Sequence, residues 1–251
     1  MLRSLVGSEM CIRDRSNSDL AYFLGIRYVL NSEIDVFVNS SKRTRFPTMR
    51  EAFSGALGKF VVNPDLKPET AIINELGLSY NGDKLQLEIL GFYTLYDDLI
   101  DQIRLTEQQD SLRRRKRVNF AEANIYGAEL IFRYLPDNPL FAEGYFTYIK
   151  SEGKQKQGDD FDHLEYKPEL MALTSIGYKF SFGFTPIAEL QYIGSQWGID
   201  PNDEWRELES VLLLNLRFSY QFSINDIFTE FYLRVNNLTD ELYWSKIGLL
   251  N

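Results

Sequence analysis

The sequence predicts an all-β protein: an antiparallel, up-and-down transmembrane β-barrel sheet of about ten strands. Three observations predict it. Apolar and polar residues alternate with period two in run after run, as in strands with two different faces. Tight turns and long polar connections follow one another in strict rotation, so every short turn falls at one end of the sheet. A soluble sandwich has no reason for that asymmetry, whereas a barrel whose strands run between two compartments does. Finally, 14 % of the 251 residues are aromatic, and aromatics recur just before the tight turns.

The strands follow in order. Ala21 to Leu30 and Ser32 to Ser40 flank the turn Asn31-Ser32-Glu33. Ala71 to Tyr80 leads into Asn81-Gly82-Asp83, a dipeptide suited to a primed hairpin turn, and Leu85, Leu87 and Ile89 then oppose Gln86 and Glu88. Tyr126, Ala128, Leu130, Phe132 and Tyr134 oppose Gly127, Glu129, Ile131 and Arg133 before the turn Pro136 to Pro139. Leu140 to Lys150, then Ala172 to Phe180, lead to Ser181-Phe182-Gly183, after which Ala188, Leu190 and Tyr192 oppose Glu189 and Gln191. The pattern is cleanest at the end. In Val211 to Phe222 the even positions are apolar, against Asn215, Arg217, Ser219 and Gln221. After the turn Ser223 to Asp226, Ile227 to Asn236 sets Phe231, Leu233 and Val235 against Glu230 and Arg234. Both runs are long enough to cross a bilayer as tilted strands.

Long polar stretches centre near Met49, Gln109, Gln157 and Asp203. Tyr28, Tyr80, Tyr134, Phe180 and Phe222 precede the tight turns on the apolar face, and in a barrel they form a girdle at one water–lipid boundary. Glu75, Glu88, Glu129, Glu143, Glu189, Glu230, Arg217 and Arg234 are expected to point into the lumen. No apolar run reaches the length of a membrane-spanning helix, so a chain that meets lipid must close as a barrel. The net charge of -9 argues against a nucleic-acid partner. The single cysteine, Cys11, excludes a disulfide framework. Residues 1–15 lack the core and cleavage site of a secretory signal. They look like translated adaptor or vector sequence, or a disordered leader, and residues 16–251 form the predicted sheet.

At this point the motifs become recognisable. Thr44-Arg45-Phe46-Pro47-Thr48 with Glu51 resembles the Arg-x-Pro-Thr-x-x-Glu segment of TonB-dependent outer-membrane receptors. Asn63-Pro64-Asp65-Leu66-Lys67-Pro68-Glu69-Thr70 is similar to their Asn-Pro-Asp-Leu-Lys-Pro-Glu signature, and Glu75-Leu76-Gly77 follows. Phe92-Tyr93 with Asp98-Leu99-Ile100 resembles the family's strand ending in Asp-Leu-Ile, and Asn119 with Gly127-Ala128-Glu129-Leu130 its Asn…Gly-x-Glu strand. Asn236-Asn237-Leu238-Thr239-Asp240 and Tyr243 match the near-terminal Asn-Asn-Leu-x-Asp-x-x-Tyr. Six ordered matches from Leu20 to Trp244 are specific where one alone is weak.

The resemblance implies a barrel of about twenty-two strands around a plug, located in the outer membrane of a Gram-negative bacterium. It also implies energised uptake of a scarce ligand, such as a ferric siderophore, cobalamin or an oligosaccharide. The implied partners are the TonB complex acting through the plug, outer-membrane lipid and lipopolysaccharide, and a small-molecule or metal-chelate ligand. The chain shows neither plug nor TonB-contacting box and stops before the family's last strand. It therefore reads as a partial, open, curved sheet from a longer barrel. A passive porin-like channel and a soluble β-sandwich interaction module are the alternatives.

No catalytic residue, cofactor or metal site is expected. The one histidine, His163, lies in Asp159-Asp160-Phe161-Asp162-His163 without a triad or ligand spacing. The ligand-binding candidates are loop residues. Arg113, Arg114, Arg115 and Arg117 form a basic run that suits an anionic siderophore or lipopolysaccharide phosphate, and Trp197 and Trp205, with Tyr166, could stack on a ligand. The first two motifs are also similar to the paired boxes of haem receptors, which carry a histidine between them; Thr48 to Val62 contains none.

Overall fold

A computed structural model describes residues 19–200, 202, 204–247 and 249–250; residues 1–15, Cys11 and Asp203 lie outside them. Ten strands run up and down in chain order: β1 (Tyr22–Val29), β2 (Ile34–Arg45), β4 (Glu69–Asn81), β5 (Leu85–Arg104), β6 (Arg115–Tyr134), β7 (Leu140–Lys154), β9 (Leu170–Tyr178), β10 (Phe184–Ile193), β13 (Val211–Ile224) and β14 (Ile227–Val235). Each pairs with the next, giving an open curved sheet with β1 and β14 at its edges. Two short strands join it, β3 (Phe60–Val61) on β6 and β8 (Asp162–His163) on β7. Small ladders β11 (Gln196–Ile199) with β12 (Trp205–Leu208), and β15 (Trp244–Lys246) with β16 (Leu249–Leu250), complete the strands.

The rims differ as expected. Residues 30–33, 82–84, 135–139, 179–183 and 225–226 make the short connections, and residues 46–68, 105–114, 155–169 and 194–210 the long ones. The short turns differ from expectation in one place. Gly82 is absent from the positive-φ residues, so Asn81-Gly82 is not a primed turn. Three residues close that hairpin, so no left-handed pair is needed. A Cβ at Gly82 would lie 2.4 Å from the Tyr80 hydroxyl, so the glycine makes room for a ring. The primed geometry falls at Asn225 and Asp226, both left-handed at φ 47° and 67°, as a two-residue hairpin loop requires. Several strands overrun their predicted ends, most of all on the long-loop side: β2 continues to Arg45, β5 passes Ile100 to reach Arg104, β6 already begins at Arg115, and β7 continues to Lys154.

Register sorts the faces. Tyr28, Val36, Leu78, Ile89, Leu130, Phe146, Ala172, Tyr192 and Leu212 stand in one row across nine strands. This apolar face is bare: Ile26 is 67 % exposed, Leu212 54 % and Phe231 64 %. Among the described residues no large side chain is fully buried, so the sheet has no ordinary core. A patch this wide is not stable in water. The opposite face carries the expected Glu75, Glu88, Glu129, Glu143, Glu189, Glu230, Arg217 and Arg234. It is laced by Arg27–Asp35 at 2.7 Å, Arg234–Glu189 at 2.9 Å and Asn39 donating to Glu75 at 3.1 Å.

Aromatics bound the apolar face at both ends. At the short-turn rim, Tyr178 and Phe180 lie 4.7 Å apart, Phe180 and Phe182 5.3 Å, and Phe184 and Phe218 6.1 Å. Phe222 and Phe231 continue the belt at 5.8 Å. A second belt, not anticipated, holds Tyr93, Tyr126, Tyr148 and Tyr192. Each stands eight residues from a residue at the short-turn end of its strand, Leu85, Tyr134, Leu140 and Phe184. Eight residues span about 26 Å of strand before tilt, the scale of the ~25 Å apolar band that barrels present to lipid.

Gly127 allows β6 to approach β7: a Cβ there would lie 1.9 Å from the Tyr148 carbonyl oxygen, and backbone cannot yield as a side-chain tip can. Gly127→Ala in the full-length protein is expected to destabilise the β6–β7 ladder by about 1–3 kcal/mol. Faster amide hydrogen exchange at Ala128 to Tyr134 and Ala142 to Tyr148 is the measurement, and unchanged exchange refutes the packing argument.

Candidate functional site

The long-loop rim carries the densest side-chain bonding, and one part of it is built from the first two motifs. Thr48 caps the short helix α1 (Met49–Phe53). The Glu51 amide donates to the Thr48 hydroxyl at 3.2 Å, while the Thr48 amide donates to the Glu51 carboxylate at 2.8 Å, forming a capping box. Pro47 precedes the cap, where its missing N–H costs nothing. At the end of β2, Arg45 donates to both Glu69 oxygens at 2.6 and 3.0 Å, and to both Glu51 oxygens at 2.9 and 3.0 Å. Glu69 also accepts the Ile100 amide at 2.8 Å. One guanidinium thus joins β2, α1, β4 and, through Glu69, β5, a fork that a lysine cannot reproduce.

The remaining motif residues tighten this latch. Leu66 packs in a small buried cluster with Ala52 and Ile100. Asn63 donates to the Arg117 carbonyl at 2.9 Å, and its amide donates to the Ala52 carbonyl at 3.0 Å. Asn119 accepts the Lys67 amide at 2.9 Å and donates to the Lys67 and Asp98 carbonyls at 3.0 and 2.7 Å. Pro64 and Pro68 lie in the loop between, with no ladder to break. The strand and terminal motifs are scaffold as well. Glu129 pairs with Thr147 on the polar face. Asn237, left-handed at φ 50°, follows Asn236 and donates its amide to Asn215 at 2.8 Å, and the Leu238 amide reaches the Leu214 carbonyl at 2.7 Å. Tyr243 lines a cavity of about 410 Å³ on the polar face of β7 to β13.

The basic run is largely engaged within the chain. Arg114 grips Asp110 through two bonds at 2.8 and 3.1 Å. Arg115 donates to Glu165 at 3.1 Å and lies 5.9 Å from the Tyr166 ring. Arg117 caps the end of α1, donating to the Arg50, Glu51 and Ser54 carbonyls at 3.3 to 3.4 Å, and covers the Phe60 ring at 4.2 Å. The Arg113 amide donates to the Asp110 carbonyl at 2.8 Å. Arg115 and Arg117 thus fasten β6 to the β7–β9 loop and to α1, while Arg113 and Arg114 close their own turn on Asp110, none of which a basic run in sequence discloses.

The aromatic candidates do come together. His163 stacks on Trp197 with ring centroids 4.8 Å apart and meets the edge of Trp205 at 5.8 Å. The Trp205 indole N–H donates to Asp162 at 2.9 Å. Asp200, almost wholly buried and overlooked in the sequence, accepts the Asn202 and Glu204 amides at 2.7 and 3.1 Å and the Arg206 guanidinium at 2.9 Å, fixing the β11–β12 hairpin that carries both tryptophans. Its signal is a short-range one, an aspartate poised to accept amides two and four residues on. Two carboxyls in these loops ionise more readily than usual. Asp200 is lowered by the Glu204 amide, opposed by burial, with help from the Asn202 amide and Arg206. For Glu51 burial is the largest influence and opposes ionisation, but the Thr48 amide, Arg45 and the Thr48 hydroxyl together outweigh it and lower the pKa.

The class of protein follows from this geometry: a membrane β-barrel wall with a bare apolar face between two aromatic belts and elaborated loops on one rim only. The chain belongs to the TonB-dependent receptor-like β-barrel family, whose model matches residues 12–238. It is 33 % identical over 129 residues to an iron-regulated outer membrane virulence protein of Vibrio cholerae, an alignment covering 46 % of this chain and 19 % of that protein. It is 26 % identical over 216 residues to the heme/hemopexin utilization protein C of Haemophilus influenzae, covering 74 % and 29 %. Among solved structures, the copper transporter OprC superposes at a TM-score of 0.71 with 22 % identity, covering 89 % of this chain and 34 % of that one. The chain thus spans between about a fifth and a third of the length of these proteins. The family consists of transporters and receptors.

Two predictions follow for the latch. Arg45→Lys in the full-length receptor keeps the charge but loses the double fork, costing about 1–3 kcal/mol of local stability; limited proteolysis should then cut between Met49 and Val62 faster than in wild type, and equal rates would refute the latch. Because the Glu51 pKa is lowered on folding, its contribution is present at neutral pH and is lost as pH falls through and below the ordinary carboxylate range. Proteolysis of the same segment should therefore accelerate in acid, and Glu51→Gln should remove that pH dependence.

Proposed function

We propose that the chain forms part of the wall and loop rim of an outer-membrane receptor in a Gram-negative bacterium, one that takes up a scarce metal chelate at the expense of energy delivered through TonB. The family match over residues 12–238 carries this reading. Relatives named for iron regulation, heme/hemopexin utilization and copper transport give the ligand class its direction. In this reading the long loops capture the chelate and the polar wall faces a plug supplied by the rest of the receptor. Lipid and lipopolysaccharide cover the apolar face and its rim. The capture surface is assigned to the β7–β9 and β10–β13 loops with Trp197 and Trp205, framed by Arg113, Arg114, Arg115 and Arg117.

The test is uptake by the full-length receptor in a host stripped of its own receptors. Cells are given radiolabelled iron as siderophore chelates or haem, and copper as a chelate, with and without TonB. Accumulation of at least one chelate at ten times background, lost without TonB, is the expected result. Accumulation that persists without TonB assigns a passive porin-like channel, and recovery of the receptor in the soluble fraction without detergent refutes the membrane reading.

A further inference from the structure

The lumen-facing wall changes character at the long-loop ends of β7, β9, β10 and β13. There the register sets Thr147, Met171, Ile193 and Val211 in one row and Tyr145, Leu173 and Gln191 in the next. These rows belong to the polar face: the first continues to Glu129 on β6, and the row nearer the short turns holds Glu143 and Glu189. Lipid does not demand an apolar patch on this side of the sheet, and such patches mark binding surfaces. The patch floors a cavity of about 410 Å³, closed on its other side by Tyr166 and residues 243–246. That roof is tied down: the Gln196 side-chain amide donates to the Ser245 carbonyl at 3.0 Å, and the Lys246 ammonium lies 5.5 Å from the Tyr166 ring. The cover is one-sided. Val211 is 8 % exposed, whereas Leu173 is 36 % and Tyr145 45 % exposed, so the cavity keeps an open mouth beside them.

Charge and shape narrow the occupant. Of the lining residues only Glu209 and Lys246 are ionised at neutral pH, one of each sign. The cavity therefore offers no net counter-charge, and a charged molecule would give up water over an apolar floor at a cost. Tyr145, Tyr166, Tyr243 and Trp244 stand around a floor that includes the Met171 thioether, and aromatic rings and sulfur both favour an aromatic guest. Among the described residues the Gln191 side chain makes no hydrogen bond, and its amide offers a donor and an acceptor to a hydroxyl group. The volume suits one substituted ring rather than a peptide.

We propose that this cavity binds an uncharged aromatic molecule bearing a phenolic hydroxyl, with the ring over Met171 and Leu173 and the hydroxyl at Gln191. The inference goes beyond the uptake reading and does not depend on it, because binding is measurable where no transport occurs.

The probe is 4-hydroxyphenylacetamide. It is compared with 4-hydroxyphenylacetate, which has the same shape and a negative charge, and with phenylacetamide, which lacks the hydroxyl. Each is titrated into the full-length receptor in detergent and followed by ligand-detected saturation-transfer NMR, with detergent alone as the blank. Saturable binding of the neutral phenol is expected, at least tenfold tighter than the anion and at least threefold tighter than phenylacetamide. Leu173→Asp, which brings a charge to the floor, should weaken binding at least tenfold. Tyr145 is exposed, so Tyr145→Ala removes one wall with the ladder intact and should weaken binding at least threefold, which keeps the test decisive where Leu173→Asp fails to fold. Glu88→Gln, at the short-turn end of the same face, should bind as wild type. Absence of saturable binding overturns the proposal, as does equal affinity for either analogue or unchanged affinity in Tyr145→Ala. Methyl glucoside binding more tightly than the phenol overturns it in favour of a carbohydrate site.

Discussion

The structure depends on one constraint: every backbone N–H and C=O that faces hydrocarbon must be paired within the protein. The meander meets it strand by strand, from β1 to β14 in chain order. The ladder replaces the buried core found in soluble domains, which is why no large described side chain is fully buried. Side chains on the apolar face need only match their medium. Aliphatic rows therefore alternate freely in size, and specificity of pairing rests on register, tight turns and close approaches such as Gly127. A one-residue slip would turn the row containing Leu130 and Phe146 inward and present Glu129 to lipid, so the alternation itself fixes the register.

The same constraint explains why the rims diverge. Where the strands leave the apolar band, the backbone can bond to water, and irregular chain becomes tolerable. One rim closes at once with two- to five-residue turns, while the other extends β5 and β6 into a tall hairpin and adds α1, β3, β8 and the β11–β12 ladder. The irregular pieces are held by charged side chains satisfying backbone groups and carboxylates: Arg45, Arg117, Asn119 and Asp200 each bind several partners. Such multivalent polar ties substitute for a hydrophobic core in loops that bury little apolar surface.

Most of the fold was legible in the sequence because it is local. Period-two alternation places both faces of β13 and β14, and turn residues place the hairpins. The failures are also physical. Asn81-Gly82 carries the composition of a primed turn, but the loop is one residue too long to need it, and the glycine serves the Tyr80 ring instead. The tyrosine belt at the long-loop end escaped notice because its members precede no turn and are separated by whole strands in sequence. The site was less legible. Arg115 and Glu165 are 50 residues apart in the chain, and Glu69 and Ile100, which tie the Arg45 latch to β5, are 31 apart, and no local pattern encodes such pairings. Arg114, Arg115 and Arg117, read as ligand-facing by composition, also hold the loops by geometry.

That distinction bears on how such a rim evolves specificity. Arg45, Glu69, Asn63 and Asn119 have their bonding capacity occupied by one another and by backbone, so substituting them alters the scaffold before it alters recognition. The segment around Trp205 and His163 differs: Asp162 holds the Trp205 indole and Asp200 fixes the hairpin that carries both tryptophans, while Asp160 stands exposed. Changing Asp160 alters the charge of the loop without removing any bond that fixes the hairpin. A rim assembled in this way separates the groups that hold the loops from exposed groups that hold nothing, and the second set can vary while the barrel wall and its latch stay constant.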